Sequence, residues 1–365
     1  MAKRIIISGG GTGGHIFPAI AIANALKRLD PATEILFVGA LGRMEMEKVP
    51  AAGYKILGLD IQGFQRNSLL KNLKLPFKVI GSLMKARDVI REFKPDAAVG
   101  VGGYASGPLL LAAGNMNVPY LIQEQNSYAG MTNKWLGKKA AKVCVAFSGM
   151  EQFFPAEKIL MTGNPIRREA VGVSGKRAEA LESFGLSADK KTVLVTGGSL
   201  GARTLNKSML AELALFEKEG VQLIWQTGKY YYKAVLEQTA GMAQQNVRIV
   251  EFLNRMDLAY AAADVIISRA GAGTIAELCV VAKPVILVPS PNVAEDHQTQ
   301  NAMALVKQNA AVLITDQEAE GTLASLAVSL IRDEQKCREL SANIAAMALP
   351  DADDVIAKEV LIIAK

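Results

Sequence analysis

Arg4–Ala19 reads RIIISGGGTGGHIFPA, and Lys191–Leu205 reads KTVLVTGGSLGARTL. Each stretch is a short apolar run rich in β-branched residues, then a glycine cluster, then the start of a helical pattern, so the chain begins an α/β unit twice. In the first, a strand is expected at Arg4–Ser8, followed by a helix whose apolar positions Phe17, Ile20, Ala23 and Leu26 recur every three residues, with Pro18 in its first turn. In the second, a strand at Thr192–Thr196 leads to a helix carrying Leu205, Met209 and Leu213. Further strands are predicted at Glu34–Val38, Ala97–Val101, Tyr120–Gln123 and Lys142–Ala146 in the first half. In the second half they are predicted at Gln222–Gln226, Val247–Glu251, Asp264–Ser268 and Pro284–Val288. Strands alternating with helices imply α/β domains with parallel sheets. The expected architecture is two Rossmann-like, doubly wound domains, residues 1–163 and 164–350, and a final helix at 351–365 able to pack back on the N-terminal domain. The weakest patterning, from Gly163 to about Asp189, is read as the linker.

A chain of 365 residues fits two such domains, and with half of its residues hydrophobic it has the means to build two cores. Cys144, Cys279 and Cys337 lack CxxC spacing, which argues against a disulfide framework or a zinc cluster and for a reducing compartment. The N-terminus lacks the apolar segment of a signal peptide, and no run approaches the roughly 18 apolar residues of a membrane span, so any membrane contact is expected to be peripheral. Charge is uneven. Between Gln62 and Lys94 lie Arg66, Lys71, Lys74, Lys78, Lys85, Arg87, Arg91 and Lys94 against only Asp88 and Glu92, an excess equal to the +6 of the whole chain.

The Gly9–Gly14 turn satisfies GxGxxG between a strand and a helix, where backbone N–H groups and the helix dipole favour an anion. A dinucleotide site also calls for an acid at the end of the second strand, which here reads Phe37-Val38-Gly39-Ala40, so a nucleotide-dependent oxidoreductase is disfavoured. Three more glycine turns follow predicted strands, at Gly100–Tyr104, Gly197–Gly201 and Gly271–Thr274. Any one is explained by tight turning and close packing. Four of them, shared between two domains, point to a phosphorylated ligand held in a cleft between facing strand ends.

GGGTGGHIFPA (9–19), GVGGYASGP (100–108), QEQNSYAGMTNKWL (123–136), GNPIR (163–167), GGSLGA (197–202), SRAGAGTIAEL (268–278) and DHQTQNA (296–302) occur in the order seen in the MurG family, which the chain resembles from end to end. The resemblance implies the GT-B fold and an inverting transfer of N-acetylglucosamine from UDP-N-acetylglucosamine to lipid I, forming lipid II for peptidoglycan and cell-wall biogenesis, and so for cell shape and division. It implies no cofactor and no metal, and a peripheral position on the cytoplasmic side of the inner membrane. Thr12, Gly13, Gly14, Asn126, Arg167 and Ser199 match donor-binding positions. Leu253 is expected near the uracil, and Ala272, Gly273, Thr274, Ile275, Ala276 and Glu277 match the segment meeting the nucleotide, with Glu277 accepting hydrogen bonds from the ribose hydroxyls. Gln298 is expected to read the sugar hydroxyls, with His297 as the substitute if the register differs by one. Leu200 stands where the family commonly has glutamine and Gln123 where it often has histidine, and each is expected to alter a side-chain hydrogen bond. A UDP-sugar transferase with another lipid or small-molecule acceptor is the nearest alternative function, and a noncatalytic membrane-surface module the alternative from another class.

An inverting transfer needs a base for the acceptor hydroxyl and stabilisation of the departing pyrophosphate. The Gly197–Gly201 turn, with Ser199 and Arg167, is assigned the second task. His15 and His297 are the histidines of the chain. His15, closing the first glycine turn, is the candidate base, the alternative being a residue that orients the loop or binds an acceptor phosphate. Asp351-Ala352-Asp353 forms a literal DxD but reads as helix capping. Leu69, Leu73, Phe77, Ile80 and Met84 lie on one helical stripe, despite a kink expected at Pro76, with Lys71 and Lys74 among them. The stripe is either core-facing or, with a lipid-linked acceptor, a surface for anionic headgroups. Nucleic acid is a poor partner for a patch without interleaved aromatics.

Overall fold

A computed structural model describes residues 2–62, 75–242, 245–293 and 296–364. The chain divides into two compact units, Met1–Ile166 together with Leu349–Lys365, and Arg167–Ala348. In the first unit, β1 (Arg4–Gly9), β2 (Glu34–Ala40), β3 (Lys55–Leu59), β4 (Ala97–Gly102), β5 (Tyr120–Glu124), β6 (Lys142–Val145) and β7 (Ile159–Met161) form one parallel sheet. Its order is β3-β2-β1-β4-β5-β6-β7. In the second unit, β8 (Thr192–Thr196), β9 (Gln222–Gln226), β10 (Val247–Val250), β11 (Val265–Ser268), β12 (Val285–Leu287) and β13 (Val312–Leu313) form another, ordered β10-β9-β8-β11-β12-β13 and again parallel. Strand order reverses beside β1 in one sheet and beside β8 in the other, the places where open α/β sheets bind ligands.

The apolar runs are explained by burial on both faces. Ile5, Ile6 and Ile7 are all fully buried. Side chains alternate along a strand, so Ile5 and Ile7 join the core under the Gly13–Leu29 helix while Ile6 joins the core on the other face. Three strands escaped the sequence reading: β3 and β7 at the edges of the first sheet, and β13 at the edge of the second. They have five, three and two residues. Such short edge strands carry too little apolar signal for a pattern.

The first helix corrects the expected periodicity. It buries Ile16, Ala19, Ile22, Ala23 and Leu26, while Phe17 is half exposed. Steps of three residues fall short of the 3.6-residue turn and drift around the helix, so the line from Phe17 could not remain on the core face. Pro18 is likewise not in the first turn. The helix begins at Gly13, which places Pro18 inside it. Leu205, Met209 and Leu213 are buried in the core of the second unit, but one helix does not carry all three: the first ends at Ala211, and Leu213 opens the Leu213–Glu219 helix. From Arg167 on, the stretch read as a linker is tied into that unit: Lys176 donates to Asp257 at 2.6 Å and Arg177 to Asp264 at 3.0 Å.

The final helix, Ala352–Ile363, packs in the first unit, where Ile356, Ala357 and Val360 share a core with Ile16, Ala19 and Ile22. Its DxD serves this docking rather than capping. Asp351 makes no side-chain cap bond, while Asp353, 4% exposed, accepts from Arg28 at 2.7 Å, and Asp354 accepts from the same guanidinium at 2.6 Å. Removing Arg28 takes a charged donor from a buried carboxylate, so Arg28→Ala should lower unfolding stability by about 1–2 kcal/mol, the half-exposed arginine holding the figure at the low end. Denaturant melts measure this, and an unchanged midpoint would show the pair to be incidental.

The basic stripe is described from Leu75 onward. Leu69, Lys71, Leu73 and Lys74 lie outside the described residues. The Leu75–Phe93 helix buries Ser82, Ala86, Val89 and Ile90 and turns Phe77, Ile80 and Met84 outward, at 77%, 58% and 61% exposure. The core-facing reading therefore fails for these three. Pro76 is the second described residue of this helix, so the kink expected there falls at the edge of the described residues. Among the described residues, no helix is long and apolar enough to cross a membrane.

Candidate active site

At the switch point of the first sheet the turns after β1 and β4 pack on one another. The Gly10 N–H donates to Gly102 O at 3.2 Å, and the paired strands slip register between Ser8 and Gly9. Gly102 and Gly103 have φ of +104° and +90°. A Cβ on Gly103 would stand 2.4 Å from Gly10 O, and one on Gly102 would stand 2.6 Å from the His15 ring. GVGG is thus the shape that lets two turns touch and an imidazole lie across the second. Thr12 is the N-cap, its carbonyl accepting from His15 N–H and Ile16 N–H, both at 3.1 Å. Thr12 and Gly14 are exposed, and Gly13 and His15 partly so. The first-turn amides point out of the end of the helix, the geometry that attracts an anion.

His15 Nδ1 lies 3.1 Å from Gly10 O and 3.5 Å from Thr12 Oγ1. A carbonyl only accepts, so the shorter contact requires the proton on Nδ1, and the neutral ring then carries its lone pair on Nε2. That is the atom a general base uses.

The loop after β5 is braced from beneath. Glu124, 3% exposed, accepts from Asn126 N–H at 3.1 Å, Gly130 N–H at 3.2 Å and Asn133 Nδ2 at 2.8 Å. This leaves Asn126 partly exposed on the loop. Gln123, the departure noted in the sequence, is fully buried and donates to Asn164 at 2.8 Å, while Asn164 donates to Gln125 O at 3.0 Å. Its altered hydrogen bond lies inside the unit. Leu200, the other departure, is 54% exposed in its turn.

At the switch point of the second sheet, the Gly197–Gly201 turn follows β8 and leads into the Arg203–Ala211 helix. Gly201 and Gly228 approach so closely that a Cβ on Gly201 would lie 2.1 Å from Thr227 O. Ser199 is exposed at the tip of the turn. After β11 comes the Ala272–Val281 helix, whose opening residues Ala272 to Glu277 are the segment expected to meet a nucleotide. Gly273 is exposed, Ala272, Thr274 and Ala276 are partly so, and Ile275 is buried. Leu253, in the loop after β10, is 7% exposed.

Arg167 and Glu277, assigned separately in the sequence, are one feature here. Arg167 donates through Nε to Glu277 Oε1 at 2.8 Å and through Nη2 to Oε2 at 2.9 Å, a bidentate pair. Tyr260, which the sequence reading missed, donates its O–H to Oε2 at 3.4 Å. Burial, then the Glu277 carboxylate, drives the Tyr260 phenol far above its ordinary range and keeps it a donor. The hydrogen bond to Glu277 raises the Arg167 guanidinium further still. Helix-dipole stabilisation is not what holds Glu277: it is the sixth residue of its helix, beyond the first turn, and 5% exposed. Arg167 and Tyr260 take both acceptor positions of Oε2, while Oε1 keeps a second one that can receive a hydroxyl donor.

Gln298 Oε1 accepts from Ser290 N–H at 2.9 Å, which turns its amide group toward the loop after β12. His297, one residue earlier, opens the same helix. Arg269 was also missed. It donates to Val288 O and Pro289 O, both at 3.0 Å, and pairs with Asp316, which in turn accepts from Thr204 at 2.6 Å. This network joins the ends of β11 and β12 to the helix after the Gly197–Gly201 turn. Its members lie far apart in sequence, and Arg269, though inside SRAGAGTIAEL, has nothing beside it that names Asp316 as its partner.

Comparisons with known proteins bear on this geometry. The Glycosyltransferase family 28 N-terminal domain matches residues 5–145 and the Glycosyltransferase family 28 C-terminal domain residues 192–356. The chain is 57% identical, over 100% of its own length and 96% of the relative's, to a Bacteroides fragilis UDP-N-acetylglucosamine–N-acetylmuramyl-(pentapeptide) pyrophosphoryl-undecaprenol N-acetylglucosamine transferase. The protein of the same name from Bacteroides thetaiotaomicron is also 57% identical, covering 99% of this chain and 98% of the relative. Among solved structures, that of Acinetobacter baumannii MurG superposes with a TM-score of 0.81 at 30% identity, covering 98% and 99% of the two chains.

Proposed function

The chain belongs to glycosyltransferase family 28, and from that premise we propose how its residues divide the work of the reaction. The protein transfers N-acetylglucosamine from UDP-N-acetylglucosamine to lipid I, yielding lipid II and UDP. The observation that carries the assignment of roles is that two glycine turns stand at each of the two switch points, one set per unit.

The second unit is the donor unit. The ribose diol hydrogen-bonds to Glu277, whose carboxylate Arg167 and Tyr260 hold in a fixed plane. Uracil lies by Leu253, and Ala272 to Ala276 supply the wall and backbone groups around the nucleotide. Gln298 reads the sugar hydroxyls. The Gly197–Gly201 turn, Ser199 and the first-turn amides after it receive the pyrophosphate, whose negative charge grows as the anomeric bond breaks. In the first unit, Thr12, Gly13, Gly14 and Asn126 contact the donor, and His15 Nε2 takes the acceptor hydroxyl proton as that oxygen attacks the anomeric carbon from the face opposite UDP. The new C–O bond forms as the bond to the diphosphate breaks, with inversion, and the proton remains on the imidazole. Incubation with labelled UDP-N-acetylglucosamine and purified lipid I, scored for UDP and labelled lipid II, tests the reaction. Label released to water alone would refute it.

The outward Phe77, Ile80 and Met84, with Leu69 and Leu73 and the lysines Lys71 and Lys74, form a peripheral contact with anionic lipid on the cytoplasmic side of the inner membrane. Apolar side chains entering the headgroup boundary and lysines drawn to its negative potential support this reading. Lys71→Glu plus Lys74→Glu should weaken co-flotation with anionic vesicles at least about tenfold, since each lysine near such a surface is worth about 1 kcal/mol. Binding that ignores anionic lipid and survives the double substitution would overturn the assignment.

A further inference from the structure

Glu45 opens the Glu45–Ala51 helix yet is 1% exposed. Its Oε2 accepts from the Gly11 N–H at 2.8 Å and its Oε1 from the Ala40 N–H at 3.0 Å. One buried carboxylate thus ties the end of β2 to the middle of the glycine turn after β1. Two glycines make room for it: a Cβ on Gly10 would stand 2.2 Å from Glu45 Oε1, and one on Gly39 would stand 2.6 Å from Glu45 Cγ. Gly10, which looks like a phosphate-loop residue, therefore has a different reason to be glycine.

The Gly10 carbonyl and the Gly11 N–H are the two ends of one planar peptide group, so neither can turn without the other. Glu45 holds the N–H end, and His15 Nδ1 meets the carbonyl end at 3.1 Å. We propose that Glu45 is a positioning residue which, through the Gly10–Gly11 peptide, keeps His15 in the Nδ1–H tautomer with Nε2 as the basic atom. The proposal rests on the reading of His15 as the base. A carboxylate is the group required, because both of its partners are donors. An amide in the same place could accept from one and would present an N–H to the other.

Glu45→Gln is therefore the discriminating variant, nearly isosteric and deficient in one acceptor. The chain has two histidines, so imidazole ¹⁵N spectra of the full-length protein are assigned by the signal lost in His15→Ala. Wild-type His15 should show a protonated Nδ1 and an unprotonated Nε2, and Glu45→Gln should shift both toward the average of exchanging tautomers. The kcat of Glu45→Gln should fall about 10- to 100-fold, as when an orienting partner of a reactive histidine is removed, with donor affinity held. In a His15→Ala background the same substitution should cost no further kcat, which a merely structural role would not produce.

A wild-type His15 carrying its proton on Nε2 overturns the proposal without any variant. So does a Glu45→Gln protein that keeps both tautomer and turnover, or one whose loss is equally large in the His15→Ala background. If Glu45→Gln fails to fold, Glu45→Asp, too short to reach both amides, replaces it in each measurement. Full turnover in His15→Ala would remove the base reading and leave the tautomer measurement to judge Glu45 alone.

Discussion

His15→Ala lowers kcat by about 10²- to 10⁴-fold, the usual worth of a positioned general base, while UDP-N-acetylglucosamine binds with nearly unchanged affinity. The asymmetry follows from what the side chain does. With His15 acting as the base, as proposed, its loss is felt in the transition state and not in the ground state. The turn itself should survive, because its tethers are the Gly10–Gly102 backbone bond and the Glu45 carboxylate, neither of which involves the ring. Donor affinity by titration calorimetry and turnover by labelled transfer measure the two halves separately. Near-normal turnover removes His15 from the chemistry. A parallel loss of donor affinity instead makes it a binding residue.

Glu277→Ala raises the dissociation constant for UDP-N-acetylglucosamine by about 10- to 100-fold, the loss of hydrogen bonds to a charged acceptor at about 1.5–3 kcal/mol. Its effect is compounded, because the substitution also strips Arg167 of a bidentate partner and leaves the buried Tyr260 hydroxyl without its acceptor. Discrimination is the sharper readout. With the carboxylate reading the diol, as proposed, the wild type should prefer UDP to 2′,3′-dideoxy-UDP, and the variant should not. Arg167→Ala alone should reproduce part of the loss, and the double variant should fall short of the sum because the two side chains form one unit. Unchanged discrimination in Glu277→Ala would assign the pair to structure alone.

The parts of this molecule that could be read along the chain are those set by neighbours in sequence. β8 and β9 coincide with the expected runs, and β1, β2, β4, β5, β6, β10, β11 and β12 differ from theirs only by residues at the ends. Parallel strands buried on both faces need continuous apolar runs, which are visible in a window of five residues. The edge strands β3, β7 and β13 were not visible, because a short edge strand is held by its partner more than by its own composition. The Phe17 line failed for a related reason: apolar spacing names a helix, but burial depends on which side the sheet and the Ala352–Ile363 helix occupy.

The site divides the same way. The glycine turns and the motifs around them were legible because a tight turn demands glycine wherever it occurs. The partners of the charged groups were not. Arg167 and Glu277 stand 110 residues apart, Arg28 and Asp353 325 apart, and Gly11 and Glu45 34 apart. Nothing local marks Glu45 as a brace, since a glutamate opening a helix looks like any acid near a helix N-terminus.

By itself the sequence determined two parallel α/β units, the four turns at their switch points, and the family whose motifs those turns carry. These follow from local sterics and from periodicity, which act through adjacent residues. Only the tertiary structure decided that Glu277 is clamped by Arg167, that the DxD docks a helix, and that a buried carboxylate sets the peptide on which His15 rests. Hydrogen bonds of that kind are chosen when distant segments pack, because a buried charge must find its partners wherever the fold delivers them.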